Sequence, residues 1–421
     1  MANYFAFRRD PLPLLEAAAR DGEARRIRIA YETIHLFNTP DAVREILLDR
    51  AGDFDRGKGS PEALAPHIGR GVLTTSGLEW SGHRKGMRQQ LKPLERLEAA
   101  VQRYGGALRQ RWLAGGVFNA PMDALAMGFQ VAMDTIYGYE PSFAEGERYA
   151  FEFTAAHKGI FQHLVDGIPG ASRLPTRRNR RLTRAIQSLR DESRRLHGLA
   201  RSGALPDDAP GVAGLAAADE AAAVDEVMNV LAAAPENPAN TMGWLLFLLG
   251  SHPEVLARAR AEVEAQLDGT PTLASVRPLA YCRAIINETM RLYPGAWGFE
   301  REVLQAGSIA GYALRPGELC FVSPYLLHRS PRLWDEPDVF RPQRFVDEPA
   351  PKDRFIPFGL GPRRCVGARY AEALMQLLVP MLITLPFELV PGQAIELQPM
   401  FTLRAKQGIH IRVRAPSGAA A

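Results

Sequence analysis

The 421-residue sequence is poor in cysteine and lysine, and it has no long apolar run. Its three cysteines, Cys282, Cys320 and Cys365, lie far apart, which excludes a disulfide framework and a cysteine-rich zinc site and favours a reducing compartment. The first residues carry bases without the apolar segment of a secretion signal. The longest apolar stretches, such as Met242–Leu249 and Leu374–Leu385, fall short of the about 18–20 residues that a membrane span needs. We therefore expect a cytoplasmic protein with no membrane anchor.

Arginine supplies nearly all of the positive charge, because only six of the 51 basic residues are lysines. This bias, together with the high alanine content, is typical of bacterial proteins encoded by G+C-rich DNA. The net charge is only +4, since 47 acidic residues are interspersed with the bases. The densest basic cluster, residues 177–184, contains none of the aromatic side chains that nucleic-acid-binding surfaces interleave with their bases. We interpret it as the solvated start of a helix and expect no nucleic-acid partner.

Helical patterns dominate the sequence. Hydrophobic residues make up 46% and charged residues 23%, as in ordinary globular proteins. Apolar spacing of three and four predicts helices at Pro40–Leu48, Leu94–Leu113, Met122–Tyr137, Arg178–Arg201, Glu220–Leu249, Pro253–Leu267 and Ala368–Leu382. Strand patterns are few and short, at Arg26–Ala30, Ile34–Phe37, Leu319–Val322 and Ile409–Val413, with a turn-rich hairpin region at Gly311–Gly317. We predict a mainly α protein with a minor β portion, in one domain over residues 1–421 with a frayed tail at 416–421, and a mobile connector at Gly203–Ala223.

One cysteine has an unusual setting. Cys365 lies in FIPFGLGPRRCVGARYA, after a segment rich in glycine and proline and before an apolar helical pattern. Glycines allow the backbone to approach a bulky flat ligand closely, and the N-terminus of a helix stabilises a thiolate. Arg363 and Arg364 add positive charge. On these facts alone, a reactive or ligating thiolate and a structural buried cysteine are equally compatible with the pattern.

Three motifs in order distinguish these alternatives. Residues 358–367 have the form F-x-x-G-x-R-x-C-x-G, which resembles the haem-binding loop of the cytochrome P450 family. Glu288 and Arg291 form E-x-x-R on one helix face, 74 residues before Cys365, and residues 340–345 are similar to the family's F-x-P-x-R-F. The resemblance extends from about residue 26 to residue 413, and we interpret the chain as a soluble bacterial member of this family.

The resemblance implies a cofactor and the residues that hold it. The cofactor is haem b, lying between the long central helix and the helix after the cysteine loop, with Cys365 as the axial ligand of its iron. The residues implied around the haem and its propionates are Trp80, Arg84, Arg301, Phe358 and Arg363. A buried structural triad behind the loop is implied for Glu288, Arg291 and Arg344. His157, His163 and His252 show no ligand spacing, and we interpret them as ordinary surface or core residues.

The sequence departs from the family where the central helix covers the distal haem face. The family's usual segment there is a small residue, glycine, any residue, an acid and two threonines, and the acid and first threonine support proton delivery. Here the acid is Glu236, but Asn237 replaces the threonine and cannot relay a proton as a hydroxyl can. Pro235 and Pro238 predict a pronounced local distortion, although they can also simply fix a distortion that the family's helix already has.

Two catalytic hypotheses follow, with Glu236 and Asn237 as the catalytic residues. The first is a monooxygenase that oxidises a small to medium apolar substrate, in bacterial secondary metabolism. The second is an atypical member that catalyses peroxide-driven oxidation, rearrangement, dehydration or oxidative coupling; a non-catalytic haem sensor is a remote third. No arginine lies between Arg201 and Arg258, which counts against a peroxygenase that anchors a fatty-acid carboxylate from this helix.

Substrate and partner expectations also rest on the resemblance. The substrate pocket is expected to contain Phe161, Met228, Asn240, Trp297, Phe299, Met400 and Phe401. Electrons are expected from a separate ferredoxin and ferredoxin reductase, or an equivalent donor, because no such segment is evident in the chain. The ferredoxin would dock on a basic surface near Cys365 formed by Arg354, Arg363, Arg364 and Arg369. We expect a monomer.

Overall fold

The computed structural model describes residues 2–20, 22–29, 32–167 and 174–415; the predicted tail at 416–421 lies outside them. Helices dominate: α1 Ala2–Arg9, α2 Pro11–Arg20, α3 Pro40–Arg44, α4 Gly59–Ile68, α5 Gly77–Gln90, α6 Leu94–Leu113, α7 Ala120–Tyr137, α8 Phe143–Asp166, α9 Arg177–Arg201, α10 Val212–Ala217, α11 Glu220–Ala233, α12 Glu236–Ser251, α13 Pro253–Gln266, α14 Ala280–Leu292, α15 Pro324–Leu327, α16 Arg344–Asp347 and α17 Ala368–Ile383. A π-helical turn at Glu45–Asp49 and a 3₁₀ turn at Ala51–Asp53 follow α3.

The β portion consists of short strands in small sheets. The strands are β1 Ala24–Ile29, β2 Glu32–Phe37, β3 Phe54–Arg56, β4 Gly116–Asn119, β5 Phe299–Val303, β6 Gly307–Ile309, β7 Tyr312–Leu314, β8 Leu319–Val322, β9 Phe387–Leu389, β10 Leu397–Pro399, β11 Leu403–Ala405 and β12 His410–Val413. The largest sheet has the order β1-β2-β8-β5-β3, in which β2 and β8 are parallel and the other neighbours antiparallel. β4, β12 and β9 form a second antiparallel sheet, and β6-β7 and β10-β11 are hairpins. The prediction of a mainly α protein with a minor β portion is confirmed.

Helix α7 lies at the centre of the helical core. Its start is fixed by a proline in the first turn and its end by Gly138 in the left-handed conformation, and most of its side chains are buried. α6, α8 and α12 pack around it. Trp112 of α6 is fully buried, and its indole Nε1 donates a 2.8 Å hydrogen bond to Asp123 of α7, so the polar atom of this large side chain is satisfied.

Helix α8 has no counterpart among the helices predicted from the sequence. It begins with a capping box, in which the hydroxyl of Ser142 accepts the backbone N–H of Glu145 and the Glu145 carboxylate accepts the backbone N–H of Ser142. It ends at Gly167 in the left-handed conformation. Its buried residues, from Tyr149 through Phe153 to His157 and Ile160, recur at spacings of three and four and face the core.

The predicted helix Glu220–Leu249 is two helices, α11 and α12, separated at residues 234 and 235. Pro235 has no N–H to donate to the carbonyl of Leu231, so the α11 hydrogen bonds end with Ala234 N–H to Val230 O at 3.0 Å. Pro235 becomes the N-cap of α12, and Pro238 falls in its first turn, where a backbone N–H has no partner within the helix. The distortion predicted from the two prolines is therefore a full break in the helix.

The segment Gly203–Ala223 differs from the prediction of a mobile connector. It contains α10 and the start of α11, and Leu205, Ala209, Val212 and Leu215 are buried in the main hydrophobic core. The apolar residues of this segment anchor it to α9 and α11. Among the described residues, no helix is both long enough and apolar enough to cross a membrane.

The packing of α7 against the helix break gives a first prediction. A Cβ atom built on Gly128 of α7 would lie 3.0 Å from the Cβ of Pro235, so a larger residue must displace the break. We expect Gly128→Val to destabilise the protein by about 1–3 kcal/mol through overpacking. Gly106→Val on α6 is the matched control, because a Cβ there meets no atom within 4 Å. Thermal unfolding of both variants is the measurement, and equal unfolding temperatures would contradict the close packing.

Candidate active site

The segment before α17 folds into successive turns that place Cys365 in front of the helix. The backbone N–H of Gly359 donates to the carbonyl of Ile356 at 2.9 Å, and that of Cys365 donates to the carbonyl of Phe358 at 2.9 Å. Gly361 has φ +72°, and a Cβ there would overlap the carbonyl oxygen of Leu47. Only glycine combines this backbone conformation with such a close approach, so the sequence of the loop determines its shape.

The side chain of Cys365 faces a cavity. It is accessible from the cavity, although protein atoms surround it on the other sides. Burial raises the pKa of its thiol, while the backbone N–H of Gly367 and the charges of Arg364 and Arg84 act in the opposite direction. A thiolate at this position therefore needs more positive charge than the protein supplies, which a bound metal ion would provide.

The cavity has a volume of about 470 Å³. It lies between the cysteine loop, the break between α11 and α12, and residues of α4, α5, α8 and β5. This volume is in the range typical of small-molecule sites. Much of its wall is apolar, including Leu64, Ile68, Phe153, Met228, Phe299 and Phe401.

Of the five arginines that line the cavity, four lie together at one end, and their charges are poorly balanced. Arg363 forms an ion pair with Asp55. Within the described part of the chain, Arg56, Arg84 and Arg301 form no ion pair; Arg56 donates to the carbonyl of Val72 at 3.1 Å, and Arg301 to that of its neighbour at 2.8 Å. Burial, reinforced by the charges of the neighbouring arginines, lowers the pKa of Arg56 and of Arg301 to about 10.

Trp80 completes this end of the cavity. The guanidinium of Arg363 lies 4.3 Å and that of Arg84 5.4 Å from the centroid of the Trp80 ring system. The indole therefore packs against both cations. His83, which follows on the same helix, lies 3.6 Å from Glu79 and is partly exposed to solvent. The cluster as a whole is suited to a ligand with more than one negative charge.

A buried ionic triad lies behind the cysteine loop. Arg291 and Glu288 are both fully buried, and the guanidinium makes two hydrogen bonds to the carboxylate, at 2.7 and 2.8 Å. Arg344 Nε donates to the same carboxylate at 3.1 Å. Arg291 also donates to the backbone carbonyls of residues 328, 337 and 339, so the remaining hydrogen-bonding capacity of the buried cation is used.

His328 connects this triad to the cysteine loop. Its carbonyl accepts from Arg291 at 2.8 Å, and its Nε2 accepts the backbone N–H of Ile356 at 2.9 Å. Burial, together with the charge of Arg291, lowers the pKa of His328 to about 3, so the imidazole is neutral and Nε2 can accept. Through this contact the triad positions the beginning of the loop.

A second polar cluster lies in the cavity wall at the helix break. His157 Nδ1 of α8 is 2.7 Å from Glu236 Oε1 of α12, and both side chains are buried. Arg404 of β11 is 3.7 Å from the same carboxylate, and the hydroxyl of Thr402 is close to it. Burial alone would raise the pKa of Glu236, but its interactions with His157, Arg404 and Thr402 outweigh this effect and lower the pKa below its ordinary value.

Asn237 is exposed to the cavity next to this cluster. Its amide oxygen lies against Gly295, where a Cβ would collide with it. Its backbone carbonyl accepts a 2.9 Å hydrogen bond from the hydroxyl of Thr241, which also lines the cavity. At the break itself the side chains presented to the cavity are therefore an amide and a paired carboxylate.

Comparisons with known proteins agree with this geometry. A family model described as "Cytochrome P450" matches residues 214–411. Cyclooctatin synthase of Streptomyces melanosporofaciens is 27% identical over 382 residues, covering 85% of this chain and 81% of the relative. Pentalenene oxygenase of Streptomyces avermitilis is 28% identical over 382 residues, covering 86% and 84%. The crystal structure of CYP175A1 from Thermus thermophillus superposes with a TM-score of 0.78 at 23% identity, covering 97% of this chain and 96% of that one, and so shows the same fold.

The chain belongs to the cytochrome P450 family. The resemblance inferred from the three motifs is thereby confirmed, and the protein is a P450 monooxygenase with a haem-thiolate cofactor. The residues around the cavity fit that cofactor: a cysteine thiol opens onto it, glycines allow close approach, and arginines with no ion pair among the described residues match the negative charges of the propionates. When bound, the haem supplies the oxygen-activating iron, and thiolate ligation favours cleavage of the O–O bond.

The structure brings together most of the residues singled out in the sequence. Those that line the cavity are Trp80, Arg84, Met228, Glu236, Asn237, Phe299, Arg301, Phe358, Arg363, Cys365 and Phe401. The lining over the described residues does not include Phe161, Asn240, Trp297 or Met400, in contrast to the expectation for the substrate pocket. Trp297 donates its indole N–H to the carbonyl of Met400 at 2.7 Å, Asn240 donates to Thr402 at 3.2 Å, and Phe161 packs edge-on against Phe401. These four side chains support the wall from behind.

Several cavity residues, among them Arg56, His157 and Thr402, are not singled out by the sequence interpretation. It treats His157 as an ordinary histidine and gives no role to Arg56 and Thr402, yet all three line the cavity. No motif marks them, because each reaches the site through the packing of a different element: α8, β3 and the turn before β11. Only the fold reveals their proximity to Glu236 or Arg301.

The buried triad gives a second prediction. Glu288→Gln leaves two arginines without their shared counter-charge, and breaking a buried pair in this way costs about 3–5 kcal/mol. We expect a much lower unfolding temperature and loss of bound haem, because the support of the cysteine loop is removed. Asp191→Asn is the matched control: it breaks an exposed pair with Arg194 at the same i,i+3 spacing and should cost less than about 1 kcal/mol. Similar stability of the two variants would show that the triad does not support the loop.

Proposed function

We propose that this P450 inserts one oxygen atom into a medium-sized apolar substrate of the terpenoid class, in bacterial secondary metabolism. The observation that carries the proposal is the apolar wall of the cavity beside Cys365, formed by residues such as Phe153, Met228, Phe299 and Phe401. The names of the relatives support the class: they include pentalenene oxygenase and cyclooctat-9-en-7-ol 5-monooxygenase, both from Streptomyces species. Binding of such a substrate would depend on shape and apolar contact.

We assign the cofactor-holding roles as follows. The cofactor is haem b, with the Cys365 thiolate as axial ligand of its iron and the N-terminus of α17 beside it. Arg84, Arg301 and Arg363 pair with the two propionates, and Arg56, buried at the same end with no ion pair among the described residues, is a fourth cation available to them. Phe358 and the loop glycines pack against the ring. Propionates at this position relieve the charge repulsion among the arginines, which lowers the pKa of Arg301 in addition to the larger effect of burial.

Glu236 and Asn237 are proposed to act in oxygen activation, because they face the cavity at the helix break. A second candidate function is atypical chemistry of the same cavity: peroxide-driven oxidation, rearrangement, dehydration or coupling. It is favoured by Asn237, whose amide stands where the family has a threonine hydroxyl. The nearby hydroxyl of Thr241 donates to a backbone carbonyl within its own helix.

Electrons are proposed to come from a separate ferredoxin with its reductase, or an equivalent donor. Arg364, Arg369 and Arg88 are exposed near the cysteine loop or on α5, and Arg354 is partly exposed. Such a basic surface suits an acidic partner and would speed association at low salt. We further propose a monomer in the cytoplasm, in keeping with three free cysteines.

A third prediction tests the axial ligand. The reduced protein with bound CO should show the long-wavelength Soret band of a thiolate-ligated haem. We expect Cys365→Ser to lose this band and Cys320→Ala to keep it, because Cys320 is buried in the large sheet, away from the cavity. An unchanged band in Cys365→Ser would refute the assignment. Titrating the wild type with pentalenene or cyclooctat-9-en-7-ol and following the Soret band then tests the substrate class, and no shift with either would argue against it.

A fourth prediction separates the two candidate functions. Asn237→Thr restores the hydroxyl, and Asn237→Val has the same shape without it. If the enzyme is an ordinary monooxygenase, the threonine variant should convert a several-fold larger share of the electrons it consumes into product than the valine variant does. If both substitutions abolish activity, Asn237 has a dedicated role and the atypical function gains. Product formed per reduced nicotinamide consumed, at equal haem content, is the measurement.

A further inference from the structure

A buried pair of ionisable side chains faces the cavity, and neither substrate binding nor cofactor binding requires it. His157 and Glu236 are in contact at 2.7 Å, and their side chains are only 6% and 5% exposed. Burying an ionisable pair in a cavity built for an apolar ligand is unfavourable unless its charges are compensated. An apolar substrate gains nothing from it, which points to a role in the reaction itself.

The surroundings hold the pair in one arrangement. The His157 ring stacks on Phe401 with a centroid distance of 4.9 Å and an interplanar angle of 11°. On the other side Glu236 contacts Arg404 at 3.7 Å and the hydroxyl of Thr402, which in turn accepts from Asn240. The imidazole is therefore oriented by packing and the carboxylate by its charged and polar neighbours, as in a preorganised site.

The other elements packed against this turn of α8 present apolar side chains. Ala156 and Ile160 contact Leu182 and Ala185 of α9, with Leu64 of α4 packed against the same group. His163, six residues further along α8, is engaged with Asn179 of α9 at 2.9 Å. The charged group that faces the pair from another element is Arg404. The described residues in contact with the pair include no other carboxylate or imidazole that could exchange a proton with it.

The helix break shows why a proton source is needed here. The family's threonine hydroxyl is absent, since Asn237 is an amide and cannot pass a proton through the exchange of O–H groups. Glu236 lies one residue away on the same first turn of α12 and lines the same cavity. A histidine in contact with this carboxylate can hold the proton that the asparagine cannot supply.

We propose that His157 is a positioning residue and proton reservoir for Glu236, and that the pair replaces the missing hydroxyl in delivering protons to the cavity. The inference rests on the proposed monooxygenase function. Each turnover consumes the substrate, O₂, two electrons from the reduced iron–sulfur partner and two protons, and it yields the oxygenated product and one water. In each proton transfer, His157 in its imidazolium form passes the Nδ1 proton to Glu236 Oε1, the carboxyl group passes it to a water molecule in the cavity, and the neutral imidazole then takes up one proton from the bulk solvent.

The decisive experiment compares two oxidants on one probe substrate, styrene. With O₂, two electrons and two protons are needed to form styrene oxide and water, whereas H₂O₂ brings both electrons and both protons with it. We expect His157→Gln, which keeps a polar side chain but cannot hold the proton, to lose at least about tenfold in O₂-driven epoxidation. Its H₂O₂-driven rate should stay within about twofold of the wild-type rate. This is a much smaller change than the loss of about tenfold or more that we expect with O₂ when a proton donor is missing.

Controls separate this role from a structural one. His163→Gln, on the same helix but outside the cavity lining, should match the wild type with both oxidants. Glu236→Gln should show the same oxidant-selective loss as His157→Gln, and the double variant should be no worse than either single one, because both act in one pathway. Equal losses with O₂ and H₂O₂ would show that His157 only supports the wall, and no loss would show that it has no role; either result overturns the proposal.

A stability measurement tests the pair without turnover. Because the folded pKa of Glu236 lies below its ordinary value of 4.5, the pair stabilises the folded protein above that pH, and this contribution is lost on acidification. The free energy of unfolding of His157→Gln should therefore depend less on pH than that of the wild type as the pH falls from about 5 to about 3. A parallel pH dependence would contradict the charged pair. Failure of the wild type to show the thiolate Soret band, or to oxidise styrene with either oxidant, would instead refute the proposed function.

Discussion

The position of the Cys365 sulfur depends on a charge that is buried away from the cavity. Arg291 is fully buried, so it has to be compensated by Glu288 and by backbone carbonyls, and those carbonyls belong to residues 328–339, which contain no long helix or strand. The guanidinium thereby fixes an irregular segment in place. His328 transfers this constraint to Ile356 at the beginning of the cysteine loop. A buried ion pair contributes little net stability compared with apolar packing, but removing one partner is costly, and this asymmetry keeps the loop in one geometry.

The break between α11 and α12 is the second constraint, and the two prolines make it at low cost. Pro235 is the N-cap and Pro238 lies in the first turn, positions where a helix has no use for the missing N–H groups. The break gives the second half of the helix its own N-terminus inside the cavity wall. Glu236 lies in the first turn there, where the helix dipole favours a negative charge, and this adds to the effects of His157 and Arg404.

The sequence was informative where the chemistry is local and uninformative where it depends on packing between distant elements. The cysteine loop and the E-x-x-R pair are contiguous motifs, so Cys365, Glu288 and Arg291 could be assigned before the fold was known. The apolar spacing of residues 220–249 continues across the proline pair, and for this reason the pattern predicted one helix where there are two. His157 and Glu236 come from α8 and α12, and no periodicity connects them. Trp297 and Met400 were expected in the substrate pocket, but a residue next to a cavity segment can point either way, and here they hydrogen-bond to each other behind the wall.

The two polar regions of the cavity differ in whether their charges are balanced, and this difference determines which kind of ligand binds in each region. At one end Arg56, Arg84 and Arg301 form no ion pair among the described residues, and burial and the charges of nearby arginines lower their pKa values, so an anionic ligand is favoured there. At the helix break Glu236 is already compensated by His157 and Arg404, so it exerts little long-range attraction on an ion. A group with negative charges is therefore drawn to the arginine end, whereas the apolar space near Met228 and Phe401 receives an uncharged molecule. Charge compensation inside the wall thus allows a proton-carrying pair to lie next to an apolar substrate without repelling it.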